Sequence, residues 1–285
     1  MADSSLKVSY YLKNPVICPL CSTSFKKEEL LSGGGRLIAT DTTDELRRIY
    51  QPSRKFGEVN PLSYPVSVCP NCLYAAFGED YPHVMGEHVP AALSQKGKRA
   101  HDIGLIFPSL DFTKPRDLIS GTASYLLAVS SYSFHGAERA PTFRKGLASL
   151  RCAWLFGDLN EKFPGQNYDT LMITMYRKAI GYYEKTISYA QDGRERIDNV
   201  KHMGPDLDKN YGFQGVLYLY TLLLYKYGKD DDREARIQKL TASKRIISKV
   251  FGSGKSSKSK PSFILEISRE LYDKLSEKVE ELKGA

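Results

Sequence analysis

From about residue 115 onward, apolar residues recur three or four positions apart, the spacing that lines them along one stripe of an α-helix. Leu118, Thr122, Tyr125 or Leu126, Val129 and Tyr132 form one such stripe, and Phe143, Leu147, Leu150 and Trp154 form the next. Gly136 to Pro141 interrupts the pattern, so the two should make a helical hairpin. Leu171, Met175, Ala179, Tyr183 and Ile187 open a second pair, completed by the nearly all-apolar run Val216 to Tyr227, which should be buried on most sides. The link between them, Asp192 to Asn210, carries Gly193, Gly204 and Pro205. A third pair places Ile237, Leu240, Ile247 and Val250 on one helix and Ile264, Ile267, Leu271, Leu275, Val279 and Leu282 on the last. Gly252 to Pro261, rich in Ser, Gly and Lys, continues neither helix and reads as a flexible connector.

Residues 1–85 follow another rule. Turn formers crowd this part (Pro15, Pro19, Gly33-Gly34-Gly35, Pro52, Asn60-Pro61, Pro65 and Pro70), and short β-like runs such as Arg36 to Ala39 and Tyr64 to Val68 lie between them. The pattern predicts a mostly α protein: a small module of loops and short strands over 1–85, a connecting segment over 86–114, and a helical domain over 115–285. Three helix pairs in a row suggest a solenoid-like stack. The period, about 50–60 residues per pair, is longer than the ~34 of a regular tetratricopeptide repeat. The passage from Leu217 to Ala235, with its break at Tyr227-Gly228-Lys229-Asp230, turns as such a repeat does, so the domain is expected to be tetratricopeptide-like.

With 285 residues, 41% of them hydrophobic, the chain can bury a real core. Lys7, Lys13 and Asn14 interrupt the first twenty positions, so no secretory leader is expected, and no run approaches the ~20 apolar residues of a membrane helix. A cytoplasmic protein without membrane insertion is the expectation. The net charge of +8 suits a polyanion, but 33 acidic residues are interspersed with the basic ones. The clearest basic cluster, Lys244, Arg245, Lys249, Lys255, Lys258 and Lys260, reads more simply as a solvated loop than as a nucleic-acid site.

Four of the five cysteines form two pairs, Cys18-Pro-Leu-Cys21 and Cys69-Pro-Asn-Cys72. Two intervening residues let one tight turn aim both sulfurs at the same ion, and the proline stiffens that turn. A thioredoxin-like redox pair needs one such motif in a strand-to-helix setting, and a disulfide scaffold suits a short secreted chain. Two knuckles therefore predict a structural zinc ion held by Cys18, Cys21, Cys69 and Cys72. The stretch 22–68 between them exceeds the ~15–20 residues of compact two-knuckle sites, so an inserted segment must fold back. Four protein sulfurs leave no position for water or substrate, which argues against metalloenzyme chemistry. Such a small, turn-rich module buries little apolar surface, so residues 10–85 should lose their structure without the ion.

Other residues invite weaker readings. His83 and His88 follow the second knuckle but lack the spacing of a second metal site. Cys152, next but one to Trp154, reads as a core cysteine. Gly254-Lys255-Ser256 matches only the end of a P-loop, since position 249 is Lys, and Gly33-Gly34-Gly35 lacks dinucleotide-binding spacing. Most of the 19 tyrosines are expected to pack helices. Asp111, Glu138 and Asp158 are polar residues near helix ends, and they form no catalytic constellation.

The stretch Cys69 to Tyr81, Asn60-Pro61-Leu62 before it, the first knuckle, and Ala153-Trp154-Leu155 within the helical part together resemble the bacterial DUF2225 family over most of the chain. That name carries no activity. The resemblance implies a zinc-ribbon-like N-terminus followed by tetratricopeptide-like helices, and the four cysteines carry over while no catalytic residue does. The family's knuckles are typically followed by Gly, whereas this chain has Ser22 and Leu73, so one or both turns are expected to depart from the standard geometry. Stacked helix pairs form a concave groove, which points to a scaffold that binds a protein or peptide and not to an enzyme. The alternative, nucleic-acid binding, requires Arg36, Arg47, Arg48, Arg54 and Lys55 of the inserted segment to gather on one face.

Overall fold

The computed structural model describes residues 7–229, 231–251 and 262–284. Its N-terminal part contains four separate two-stranded antiparallel sheets. Strand β1 (Ser9–Tyr11) pairs with β4 (Glu28–Leu30) around the shorter hairpin of β2 (Val16–Ile17) and β3 (Ser24–Phe25). Strands β5 (Ile38–Thr42) and β6 (Arg48–Gln51) form a second hairpin, and β7 (Val66–Val68) and β8 (Ala75–Phe77) a third. The run at Arg36 begins its strand only at Ile38, because Arg36 is drawn into a turn by its amide's bond to the Gly33 carbonyl. An isolated two-stranded hairpin is marginal in water, so each needs an anchor elsewhere.

Eight α-helices follow among the described residues: α1 (Val89–Ser94), α2 (Lys96–Ile106), α3 (Leu118–Ser131), α4 (Pro141–Lys162), α5 (Tyr168–Asp192), α6 (Gly212–Tyr227), α7 (Arg233–Phe251) and α8 (Ser262–Gly284). Helix α3 starts at a capping box in which the Asp117 carboxylate accepts from the Ser120 amide and the Ser120 hydroxyl accepts from the Asp117 amide. Pro141 opens α4, and Gly193, at φ 73°, ends α5. The six longer helices, α3 to α8, are those the periodicity predicts. The segment 86–114, expected only as a connection, contains α1 and α2. Helix α2 buries just Arg99 and Ile103, so it has no apolar stripe for periodicity to reveal.

Each long helix packs on its successor from α3 to α8. Helix α4 lies at the centre, with Phe143, Leu150, Leu155, Phe156 and Leu159 fully buried, and each such side chain contributes about 1.5–3 kcal/mol of apolar burial. Both strands of β7–β8 are buried against α3. Gly121 allows close approach at this junction, because a Cβ there would come 2.8 Å from the Ser63 Cα. One apolar core runs continuously from Cys18 and Leu20 to Leu275 and Val279. The expected connector Gly252 to Pro261, with Lys255, Lys258, Lys260 and the Gly254-Lys255-Ser256 motif, lies outside the described residues.

Candidate metal centre

Each cysteine pair sits in the turn of a hairpin, the first between β2 and β3 and the second between β7 and β8. The two turns repeat each other bond for bond. Ser22 N donates to the Cys18 carbonyl and Leu73 N to the Cys69 carbonyl, both at 3.0 Å. Cys18 N donates to Thr23 O and Cys69 N to Tyr74 O, both at 2.9 Å. Ser22 and Leu73 each adopt φ 58°, so both turns keep the left-handed residue of a standard knuckle, and the departure expected from these side chains does not occur. The surrounding bonds hold two residues in a region that ordinarily favours glycine.

Four thiols thus converge in an arrangement able to hold one metal ion. All four Sγ atoms lie within 4.8 Å of one another, and Cys18–Cys72 and Cys21–Cys69 approach to 3.6 Å. That is far beyond the ~2.05 Å of a disulfide and near the ~3.8 Å edge of a tetrahedron with sulfur about 2.3 Å from its centre. The thiols do not ionise independently. Hydrogen bonds from Cys69 and Cys72 draw Cys18 well below the usual thiol range, while contact with Cys18 pushes Cys69 up to about 11 and Cys72 higher still. Burial raises Cys21, but Thr23, Cys69 and Cys72 bring it down on balance. A cation bound at the centre would replace the protons these sulfurs share.

The surroundings complete the cluster. Arg99, buried on α2, donates from Nε at 3.0 Å and Nη2 at 2.8 Å to the Cys72 carbonyl, and from Nη1 at 2.8 Å to Ala92 O. Asn71 Nδ2 lies 3.6 Å from Cys21 Sγ and is held from its other end by Lys96 at 2.8 Å. The Tyr74 hydroxyl joins the Tyr81 carbonyl and His135 Nε2, each at 3.0 Å. Burial, followed by the charge of Cys18 and a hydrogen bond to it, raises the Tyr81 hydroxyl above its ordinary range, so this buried O–H suits the Cys18 sulfur as acceptor. Arg99 had no signal in the sequence, since it belongs to a helix the periodicity did not reveal.

The remaining candidates are distributed elsewhere. His83 is exposed, His88 Nδ1 faces the Phe134 carbonyl at 3.1 Å, and neither joins the cysteine cluster. Cys152 is fully buried against the Thr122 carbonyl, and burial pushes its thiol well up. Asp111 caps a turn through Thr113, Glu138 is exposed, and Asp158 accepts both arms of Arg47 at 2.8 and 2.6 Å. Arg48 donates to Asp208 at 2.9 Å, and Arg36 lies over the Phe56 ring at 4.5 Å. Arg47 and Arg48 are therefore each paired with a carboxylate of the chain itself. Lys244, Arg245 and Lys249 lie along α7.

A second polar centre escaped sequence reasoning. The tip of the β5–β6 hairpin enters the face formed by α4, α5 and α6, where the Glu45 carboxylate is 6% exposed. It accepts from Trp154 Nε1 at 2.6 Å, the Tyr176 hydroxyl at 2.7 Å, the Tyr227 hydroxyl at 2.8 Å and Lys226 Nζ at 2.9 Å. Burial alone would raise Glu45, but Lys226 and the two tyrosines hold it below its ordinary value. Tyr218 donates to the Asp44 carbonyl at 2.9 Å, and Leu46 is buried beside them.

The profile of one family, described as uncharacterized proteins conserved in bacteria (DUF2225), matches residues 11–275. An uncharacterized protein of Borreliella burgdorferi is 39% identical over 278 residues, covering 97% of this chain and 99% of the relative. No solved structure matches. Among the described residues, no helix is long and apolar enough to cross a membrane.

Proposed function

The chain belongs to the DUF2225 family, and we propose that it is a zinc protein in which a closed tetrathiolate site holds a zinc-ribbon-like N-terminus to a tetratricopeptide-like body that docks a protein partner. The convergence of four sulfurs, each supplied by a matching hairpin turn, carries this reading. Tetrahedral thiolate sets suit zinc, and four protein ligands leave no open position, so the ion is structural and the protein acts by binding, not catalysis. Cys18, Cys21, Cys69 and Cys72 would hold the ion. Tyr81, Asn71 and Arg99 orient those cysteines and offset the charge of the sulfurs. A cytoplasmic setting, where thiols stay reduced, suits the ligands. Helices that pack each on the next form an extended face of the kind that receives partner segments.

Metal analysis of the purified chain tests the zinc reading. One zinc per chain, lost in a Cys69→Ser variant, is the expected result, and iron or substoichiometric metal after anaerobic handling would overturn it. Affinity capture with the full chain from its native cells tests the docking reading, and recovery of no specific protein would count against it.

A further inference from the structure

We propose that the groove between α2 and α5, floored by the outer face of α3, is where the helical body docks its partner, and that the occupant is an amphipathic α-helix with an acidic flank. The inference rests on the docking reading of that body and names the place and the chemistry of the contact.

The groove has a volume of about 440 Å³ and is lined by Ile103 and Ile106 of α2, Leu126 and Val129 of α3, and Leu171 and Met175 of α5. Helix α3 packs its other faces on α4 and on β7–β8. Helix α2 buries only Arg99 and Ile103, so Ile106 on its groove side stays half-buried, as do Leu126 and Leu171 opposite. Contiguous apolar side chains left partly open in this way mark a contact surface. From Leu171 to Tyr182 the α5 wall runs about 16 Å, some three helical turns.

Floor and walls are all helices, so the groove offers no strand edge. An extended segment laid in it would leave its amides and carbonyls unpaired against apolar side chains. A helix satisfies them internally and presents apolar residues at i, i+3 or i+4, and i+7. The acidic flank follows from the charges on the α5 side. Lys178 is exposed one turn from Tyr182. Lys145 enters from α4, donating to the Ser133 hydroxyl at 2.9 Å and lying 5.9 Å from the Tyr182 ring centre, and both of those residues line the groove. Neither ammonium forms an ion pair among the described residues. Burial pulls Lys145 below its ordinary value, and Glu195, whose charge acts against that shift, is engaged by the Thr142 amide and hydroxyl. On the α2 wall, by contrast, Lys98 is already paired with Asp102. The unmatched positive charge therefore lies along α5 and orients the partner's carboxylates to that side.

The test presents the zinc-loaded full chain to a displayed library of helical peptides that share a Leu stripe and carry Glu, Lys or Gln at random on either flank. Enriched peptides should bear Glu on one flank. Titrated by fluorescence anisotropy, such a peptide should bind the Leu126→Glu and Lys178→Glu variants at least ~10-fold more weakly than the wild-type chain. Exchanging its flanking Glu for Lys should reverse the preference, so that Lys178→Glu binds the exchanged peptide more tightly than the wild type does. Lys178 is exposed, so this reversal decides the matter even where Leu126→Glu fails to fold. No enrichment, enrichment without acidic bias, or binding indifferent to Lys178→Glu overturns the proposal. Dodecanoate that binds the wild-type chain and not Leu126→Glu, in the absence of any peptide that does so, overturns it in favour of a lipid.

Affinity capture from native cells separates this inference from the docking reading beneath it. A partner retained equally by the wild-type chain and by Lys178→Glu and Leu126→Glu sinks the groove and leaves the docking reading standing, whereas a wild-type chain that captures no partner sinks the docking reading itself.

Discussion

The β7–β8 and β5–β6 hairpins are both two-stranded and antiparallel, and each ends in a turn with a leucine in the left-handed region, Leu73 in one and Leu46 in the other. Their anchoring differs. Both strands of β7–β8 are buried against α3, and its turn supplies two sulfurs to the metal centre. The β5–β6 strands lie largely in solvent, and only the tip is buried, through Glu45 and Leu46. One hairpin is integral to the core along its length, while the other is held by its buried tip and by the bonds of Arg47 to Asp158 and of Arg48 to Asp206 and Asp208. Two-stranded hairpins require such external support, and its extent sets how far a disturbance spreads.

Breaking the metal centre should therefore have the largest effect. Cys69→Ser removes a ligand from the proposed zinc site, and structural zinc contributes about 10–16 kcal/mol in zinc-finger peptides, more than most domains hold in reserve. Loss of hydrogen-exchange protection is expected at β2–β3 and β7–β8, extending into α3, while α5 to α8 retain theirs. Chelation of the wild-type chain should reproduce the pattern.

Breaking the tip anchor at Glu45 should cost less and remain local. Glu45→Ala leaves Trp154, Tyr176 and Tyr227 donors without their acceptor, for a loss of about 3 kcal/mol in urea unfolding, allowing for the partial exposure of Lys226. Because Glu45 is held below its ordinary 4.5, its contribution is complete above that pH and is lost as pH falls below it. Acid also protonates the thiolates, so the comparison that isolates Glu45 is wild type against Glu45→Gln, whose stability should fall less steeply below about pH 4.5.

Arg99→Ala sharpens the comparison from the metal side. It deprives the Cys72 carbonyl of two donors and should weaken metal retention about 10–100-fold in a chelator competition, with a stability loss of about 2 kcal/mol. The smallest effect is a gain. Ser22 is exposed at φ 58°, so Ser22→Gly should relieve backbone strain and raise stability by up to about 1 kcal/mol, visible as a higher melting temperature with metal content unchanged.

The two anchors also differ in how much of them the sequence discloses. Cys18-x-x-Cys21 and Cys69-x-x-Cys72 are local patterns whose chemistry has few other uses, and the long helices announce themselves by apolar residues three or four apart. Glu45 carries no such mark, because its partners Trp154, Tyr176 and Tyr227 come from helices 109 to 182 positions away. Arg99 was hidden for a related reason, in a helix with only two buried residues. Ser22 and Leu73 misled in the opposite direction. Their side chains argue against positive φ, yet the paired bonds of each hairpin turn override that preference.

The central claim is that a zinc ion on four cysteines holds the N-terminal hairpins to the helical body. Its most direct test is metal content measured alongside hydrogen exchange on the same anaerobically purified chain. One zinc per chain, with protection of the Cys69 and Leu73 amides that vanishes when the zinc is chelated, is the predicted result; a chain lacking zinc whose two knuckles remain fully protected would contradict it.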